Sequence, residues 1–149
     1  MFELHTGLRR DCFEIGKFPL CHLLVMNDAN FPWFILVPAR ADVREIYQLG
    51  TADQQGLLRE SSYLAQQLTL EFNADKMNIA ALGNITPQLH VHHIVRYRSD
   101  LAWPKPVWGQ QPATPYTAMQ RADLLTRLKR CLTRDLVFLD DTPHSHHRT

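Results

Sequence analysis

Apolar and polar positions along this chain follow two different periods, and the breaks between them outline its elements. Leu20 to Met26 is an apolar run broken by His22 and closed by Asn27-Asp28-Ala29-Asn30, which favour turns, so a buried strand and its exit are predicted. Trp33 to Val37 is a second β-favouring run, bracketed by Pro32 and Pro38, and the two sequential runs predict a hairpin. Between Asp42 and Leu49, Val43 and Ile46 with Tyr47 or Leu49 have helical spacing and predict a short helix.

The longest periodic stretch follows. Thr51-x-x-Gln54 has the form of a capping box, and Leu57, Ser61, Leu64 and Leu68, with Leu58, Ala65 and Phe72 beside them, make an inward stripe to about residue 72. This is the main helix. Beyond Asn73-Ala74-Asp75, Met77 to Leu82 predicts a strand, Gly83 to Pro87 a turn and Leu89 to Val95 another strand. Residues 99–115 carry four prolines and two tryptophans, which predicts an irregular surface segment. A second capping box, Thr117-x-x-Gln120, opens a last helix expected to reach about Arg134, with Ala118, Ala122, Leu125, Leu128 and Leu132 inward. The elements imply an α+β domain over residues 1–142, followed by a polar, disordered tail over 143–149 whose histidines bind metal at most adventitiously.

Composition narrows the function classes. With 149 residues, 45% hydrophobic and 21% charged, the chain suits one globular core. Sixteen Lys and Arg against fifteen Asp and Glu leave a formal charge of +1, so there is no strong nucleic-acid footprint and a phosphate ligand needs a local site. No apolar run reaches the ~18 residues of a membrane span, and Met1 to Gly16 does not read as a signal peptide. Cys12, Cys21 and Cys131 show no CxxC spacing and are expected to be reduced packing residues in a cytoplasmic protein.

Candidate chemistry concentrates in Gln88-Leu89-His90-Val91-His92-His93-Ile94-Val95-Arg96. Strand side chains alternate, so His90, His92, Ile94 and Arg96 share one face and His93 points to the other. Alternate residues lie about 6.5–7 Å apart, a spacing at which two imidazoles converge on one phosphoryl group. A neutral imidazole attacks through the nitrogen without hydrogen, which requires an acceptor for its other N–H. A backbone carbonyl is expected to serve His92 in that way. From these residues alone, catalysis, zinc binding and structural histidines all stay open, although a catalytic zinc site usually needs a third protein ligand.

This string resembles the histidine triad (HIT) family hallmark, His-φ-His-φ-His-φ-φ with φ apolar: His90-Val91-His92 matches the first two histidines, and Ile94 stands where the third is expected. Leu24-Val25-Met26-Asn27, Pro32 and Phe34-Ile35-Leu36-Val37-Pro38 are similar to the family's nucleotide-binding strand, turn and strand, and the likeness spans about residues 10–110. Galactose-1-phosphate uridylyltransferase-like relatives resemble His-x-His-x-Gln at this point, so loss of the third histidine is compatible with a retained nucleophile. The resemblance implies a HIT-like antiparallel sheet with one main helix packed on it and a C-terminal helix. It also implies that His92 is the nucleophile, that His90 contacts the phosphate or assists the leaving group, and that Asn27 lies near the nucleoside.

Thr86 and Gln88 are the local candidates for phosphate or leaving-group contacts, and Arg96, on the histidine face, for attracting phosphate. Lys105, Trp103 and Trp108 belong to a segment with two readings, an ordinary packed surface segment, which is favoured, or a cover folded across the site. The implied function is a nucleotide phosphate hydrolase or nucleotidyl transferase working through a covalent nucleotidyl-histidine, without a cofactor, on a nucleoside phosphoramidate or dinucleoside polyphosphate, as a homodimer. Two rivals stand beside it: a nucleotide-binding module without turnover, and a metal-dependent hydrolase using His90 and His92 as ligands.

Overall fold

The computed structural model describes residues 1–139, and the predicted tail at 143–149 lies outside them. The two apolar runs form the expected hairpin: β2 (Cys21–Met26) pairs antiparallel with β3 (Trp33–Pro38), with Leu24 opposite Ile35. β3 carries β5 (Val91–Arg96) on its other side, with Ile35 opposite His92, and β5 in turn carries β4 (Lys76–Ala80). β1 (Cys12–Lys17) pairs with β2, and the short β6 (Val137–Phe138) pairs with β1. The result is one antiparallel sheet ordered β4-β5-β3-β2-β1-β6. β6 comes so close that a Cβ on Gly16 would lie 2.4 Å from the Val137 carbonyl oxygen, so that position in β1 has to be glycine.

The two long helices cover one face, and the short N-terminal helix with irregular chain covers the other. The main helix α2 (Thr51–Phe72) buries Leu57, Leu64, Leu68 and Phe72 against Leu23, Val25, Phe34, Leu36, Val91 and Val95 of the sheet. α3 (Ala118–Cys131) adds Leu124 and Leu128 to the same core. The opposite face gathers Leu24, Trp33, Ile35, Val37 and Ile94 under Leu8 of the one-and-a-half-turn α1 (Thr6–Asp11) and under Ala102 and Val107. Glu60, buried on α2, accepts from the backbone N–H groups of Leu20 and Cys21, so the helix also caps the start of β2. Burial pushes the thiols up, to about 12 for Cys12 and about 11 for Cys131, which suits packing residues.

Several predicted details change. The helix expected over residues 42–49 is a single 3-10 turn at Ile46–Gln48; Asp42 sits at φ 58, and the Gln48 amide oxygen accepts from the Arg44 and Glu45 N–H groups, which closes the turn on itself. The N-cap of α2 is Gly50, which has no side chain to bond with, and Gln54 donates its amide to the Leu49 carbonyl and forms no box with Thr51. The box at Thr117 and Gln120 does form, but α3 ends at Cys131 and buries Leu124 rather than Ala118 or Ala122. Sequence pattern did not reveal α1, β1 or β6. Leu58, placed beside the inward stripe, is 68% exposed.

Because Leu64 is fully buried at the centre of the α2–sheet contact, Leu64→Ala is expected to cost ~2–5 kcal/mol in urea unfolding, and Leu58→Ala less than ~0.5 kcal/mol.

Candidate functional site

Alternation along β5 sends Val91, His93 and Val95 toward α2 and leaves His92, Ile94 and Arg96 on the other face, as predicted. His93 is fully buried there: its Nδ1–H donates to the Val91 carbonyl at 3.0 Å, so its Nε2 accepts from the Ser61 hydroxyl at 2.6 Å. It is a satisfied core histidine.

His90 and His92 stand together with ring centroids 4.9 Å apart, 7% and 4% exposed. Their partners differ in kind. His90 Nδ1 lies 2.7 Å from the Gln88 carbonyl oxygen, which can only accept, so Nδ1 carries the hydrogen and Nε2 keeps its lone pair. His92 Nδ1 lies 2.9 Å from the Trp33 indole nitrogen, which can only donate, so in neutral His92 the hydrogen is on Nε2. The carbonyl partner expected for His92 therefore belongs to His90. Burial, helped by His90 and then His93, lowers His92 to about 3, and burial lowers His93 to about 4, so both rings are neutral at pH 7.

Trp33 and Trp108 shield His92, with ring centroids 5.7 Å and 5.0 Å from its own. The same two tryptophans wall a cavity of about 460 Å³ that is also lined by Met26, Asn27 and Asp28. The lining of that cavity includes neither His90 nor His92, and Asn27 Oδ1 there accepts from the Tyr116 N–H at 2.9 Å. Gln88 lies at the site's edge, but its side chain ties down the N-terminal arm, donating to the Glu3 carbonyl and accepting from the His5 N–H. Thr86 packs against Gly7 at the start of α1.

Arg96 is a correction. It shares the histidine face as expected, but it is 1% exposed and four of its five N–H donors go to Asp100, Asn78 Oδ1 and the Lys105 carbonyl, so it is a buried structural cation rather than a group presented to a phosphate. Ile94 packs in the apolar cluster with Trp33, Ile35 and Val107. The residue missed by sequence reasoning is Trp33. Only the β3–β5 register, with Trp33 opposite Ile94, brings its indole to His92.

The family model of the HIT domain matches residues 9–99. Among solved structures, a histidine triad protein from Marinobacter aquaeolei VT8 is 51% identical with a TM-score of 0.88, covering 91% of this chain and 98% of its own. Histidine triad proteins from Bradyrhizobium japonicum (43% identical, TM-score 0.85, covering 87% and 97%) and Sinorhizobium meliloti 1021 (42%, 0.86, 88% and 97%) are similarly alike. A comparison with curated protein sequences gave no match.

The buried neutral histidines set the acid limb of stability. Their folded values lie below the unfolded value near 6.5, so between the two the unfolded chain binds more protons and stability rises with pH. The unfolding free energy from urea titrations is expected to be flat above about pH 6.5 and to fall from there toward pH 4, by up to ~1.4 kcal/mol per pH unit for each histidine. His93→Gln should make that limb shallower; an unchanged slope would contradict the burial argument.

Proposed function

This chain belongs to the HIT family, a family of nucleotide-binding hydrolases and transferases, and from that premise we propose that it cleaves a nucleoside phosphate derivative through a covalent nucleotidyl-histidine on His90. The observation carrying this reading is the opposed tautomers of the pair: His90 offers a lone pair at Nε2 and His92 offers an N–H at Nε2. A nucleophile beside a hydrogen-bond donor is what displacement at phosphorus needs.

His90 Nε2 attacks the α-phosphorus, a phosphorus–nitrogen bond forms, and the bond to the leaving group breaks, with a solvent proton going to that group. Water, or another acceptor in a transferase, then attacks the same phosphorus and gives its proton to solvent, and cleavage of the phosphorus–nitrogen bond releases the nucleotide and returns the electron pair to His90 Nε2. His92 donates through Nε2–H to a non-bridging oxygen; being buried, it remains a neutral donor rather than a general acid. Placing the nucleophile on His90 reverses the roles the resemblance implied, and the reason is the carbonyl on His90 Nδ1. The nucleoside lies in the cavity beside Asn27, Trp33 and Trp108. A metal-dependent hydrolase is the weaker reading: among the described residues no three His, Cys, Asp or Glu cluster as ligands, and the rings packed on His92 are tryptophans, which are not metal donors.

With a purine nucleoside phosphoramidate bearing a labelled α-phosphate, the wild-type protein is expected to carry acid-labile, base-stable label. His90→Ala should abolish both label and turnover, whereas His92→Ala should label while turning over ~10²–10³-fold more slowly. Label on His90→Ala but not on His92→Ala would restore the opposite assignment. Nucleotide binding with no turnover on a broad panel would make the chain a binding module.

Assembly as a dimer is proposed on separate grounds. Among the described residues β4 is an edge strand whose outer side is unpaired in the sheet, and beside it Ile46, Leu58 and Ile79 are 43%, 68% and 50% exposed around a groove that also reaches Leu57 and Val91. Sedimentation at micromolar concentration should give a dimer, and Leu58→Asp or Ile79→Asp a folded monomer; a monomeric wild type would reject the proposal.

A further inference from the structure

After β5 the chain enters its proline-rich segment, and the turns from Asp100 to Gln110 are local: Asp100 N–H to Tyr97, Lys105 N–H to Ala102 and Gln110 N–H to Val107. What ties this segment to the sheet is a buried charge pair. The Asp100 carboxylate accepts from the N–H groups of Tyr97, Ala102 and Trp103 at 3.1, 3.0 and 2.7 Å. It also takes Arg96 side-on, at 2.8 Å to Nε and 3.1 Å to Nη2. The remaining guanidinium bonds reach Asn78 on β4 at 2.7 Å and the Lys105 carbonyl at 2.8 Å, with Trp103 5.6 Å away over the guanidinium carbon. The pair's side chains are 1% and 6% exposed. A planar, bidentate fork of this kind fixes direction as well as distance.

The consequence appears a few residues further on. Val107, 3% exposed, plugs the apolar cluster beside Ile94, and Trp108 meets both Trp33 and His92 edge-on, at 5.6 Å and 89° and at 5.0 Å and 85°. Trp108 and Gly109 also wall the cavity that contains Asn27.

We propose that Arg96 and Asp100 are positioning residues of the histidine site, clamping the segment from Asp100 to Gly109 so that Trp108 closes over His92 and forms the wall of the neighbouring cavity. Its kinetic consequence rests on the nucleotide reading above, while the ring placement does not. Arg96 touches no substrate and acts through Trp108.

The decisive test is a double-mutant cycle read with a purine nucleoside phosphoramidate and, independently, by nitrogen NMR of histidine-labelled protein. Arg96→Met and Trp108→Ala are each expected to lower kcat/KM by at least about tenfold, with the double variant no more than about twofold below the worse single one. Arg96→Lys, which keeps charge without the fork, should recover only part of the loss. Asp100→Asn, a milder change for the case in which Arg96→Met does not fold, should shift activity in the same direction. In the NMR arm the His92 Nδ1 resonance should move in Arg96→Met or Asp100→Asn as it does in Trp108→Ala. Additive kinetic losses, or a His92 resonance unmoved in both clamp variants, would overturn the proposal. If the wild type turns over no nucleotide, the functional reading fails while the resonance arm still decides the positioning role.

Discussion

The register of β3 against β5 is the constraint on which the rest of the site depends. Ile35 opposite His92 puts Trp33 within reach of that ring, and a slip of one residue would exchange His92 for His93 and turn the site inside out. Because every residue of β5 is buried, the apolar pattern alone does not fix this register. The polar groups do. In the slipped strand, His93 would lose Ser61 and the Arg96 guanidinium would face the α2 core without Asp100, and a buried charge without its partner costs several kcal/mol. The polar residues flanking the pair therefore hold it on the correct face.

Within that frame, two residues of one type acquire opposite chemistry from what touches Nδ1. A carbonyl acceptor keeps a hydrogen on His90 Nδ1 and frees Nε2, while an indole donor does the reverse to His92. Burial then keeps His92 neutral, so it serves as a fixed dipole rather than a proton source. Ile94, at the third position of the motif, adds no polar group, and the partner for the central ring comes from β3 instead.

The parts of this arrangement that were legible in the sequence are those governed by local period. Alternation placed His90, His92 and Arg96 together and His93 apart, and helical spacing found α2 and the capped start of α3. Roles that depend on contacts between distant segments were not legible. Trp33 and His92 are 59 residues apart in sequence, so neither the tautomer nor the choice of nucleophile is a property of the strand alone. Arg96 misled for the same reason: its face was right, but Asn78 and the Lys105 carbonyl come from other segments and, with Asp100, take four of its five donors. α1 is short and its N-cap is a histidine, His5 Nδ1 accepting from Gly7 N–H, so it lacks the usual sequence signal.

A sheet face covered by one short helix and irregular chain must hold that covering by means other than a ladder of backbone bonds, and both coverings here end on residues that also serve the histidines. The N-terminal arm is held by the Gln88 side chain, whose own carbonyl orients His90. The proline-rich segment is held by Arg96, four residues beyond His92 on the same strand face. Releasing either covering would admit water to the rings as well as loosen the group that orients them. Water raises the local dielectric and weakens each of the hydrogen bonds that fix the tautomers. Covering and orientation are thus one physical device, carried by the last residue of β5 and by the chain that leads into it.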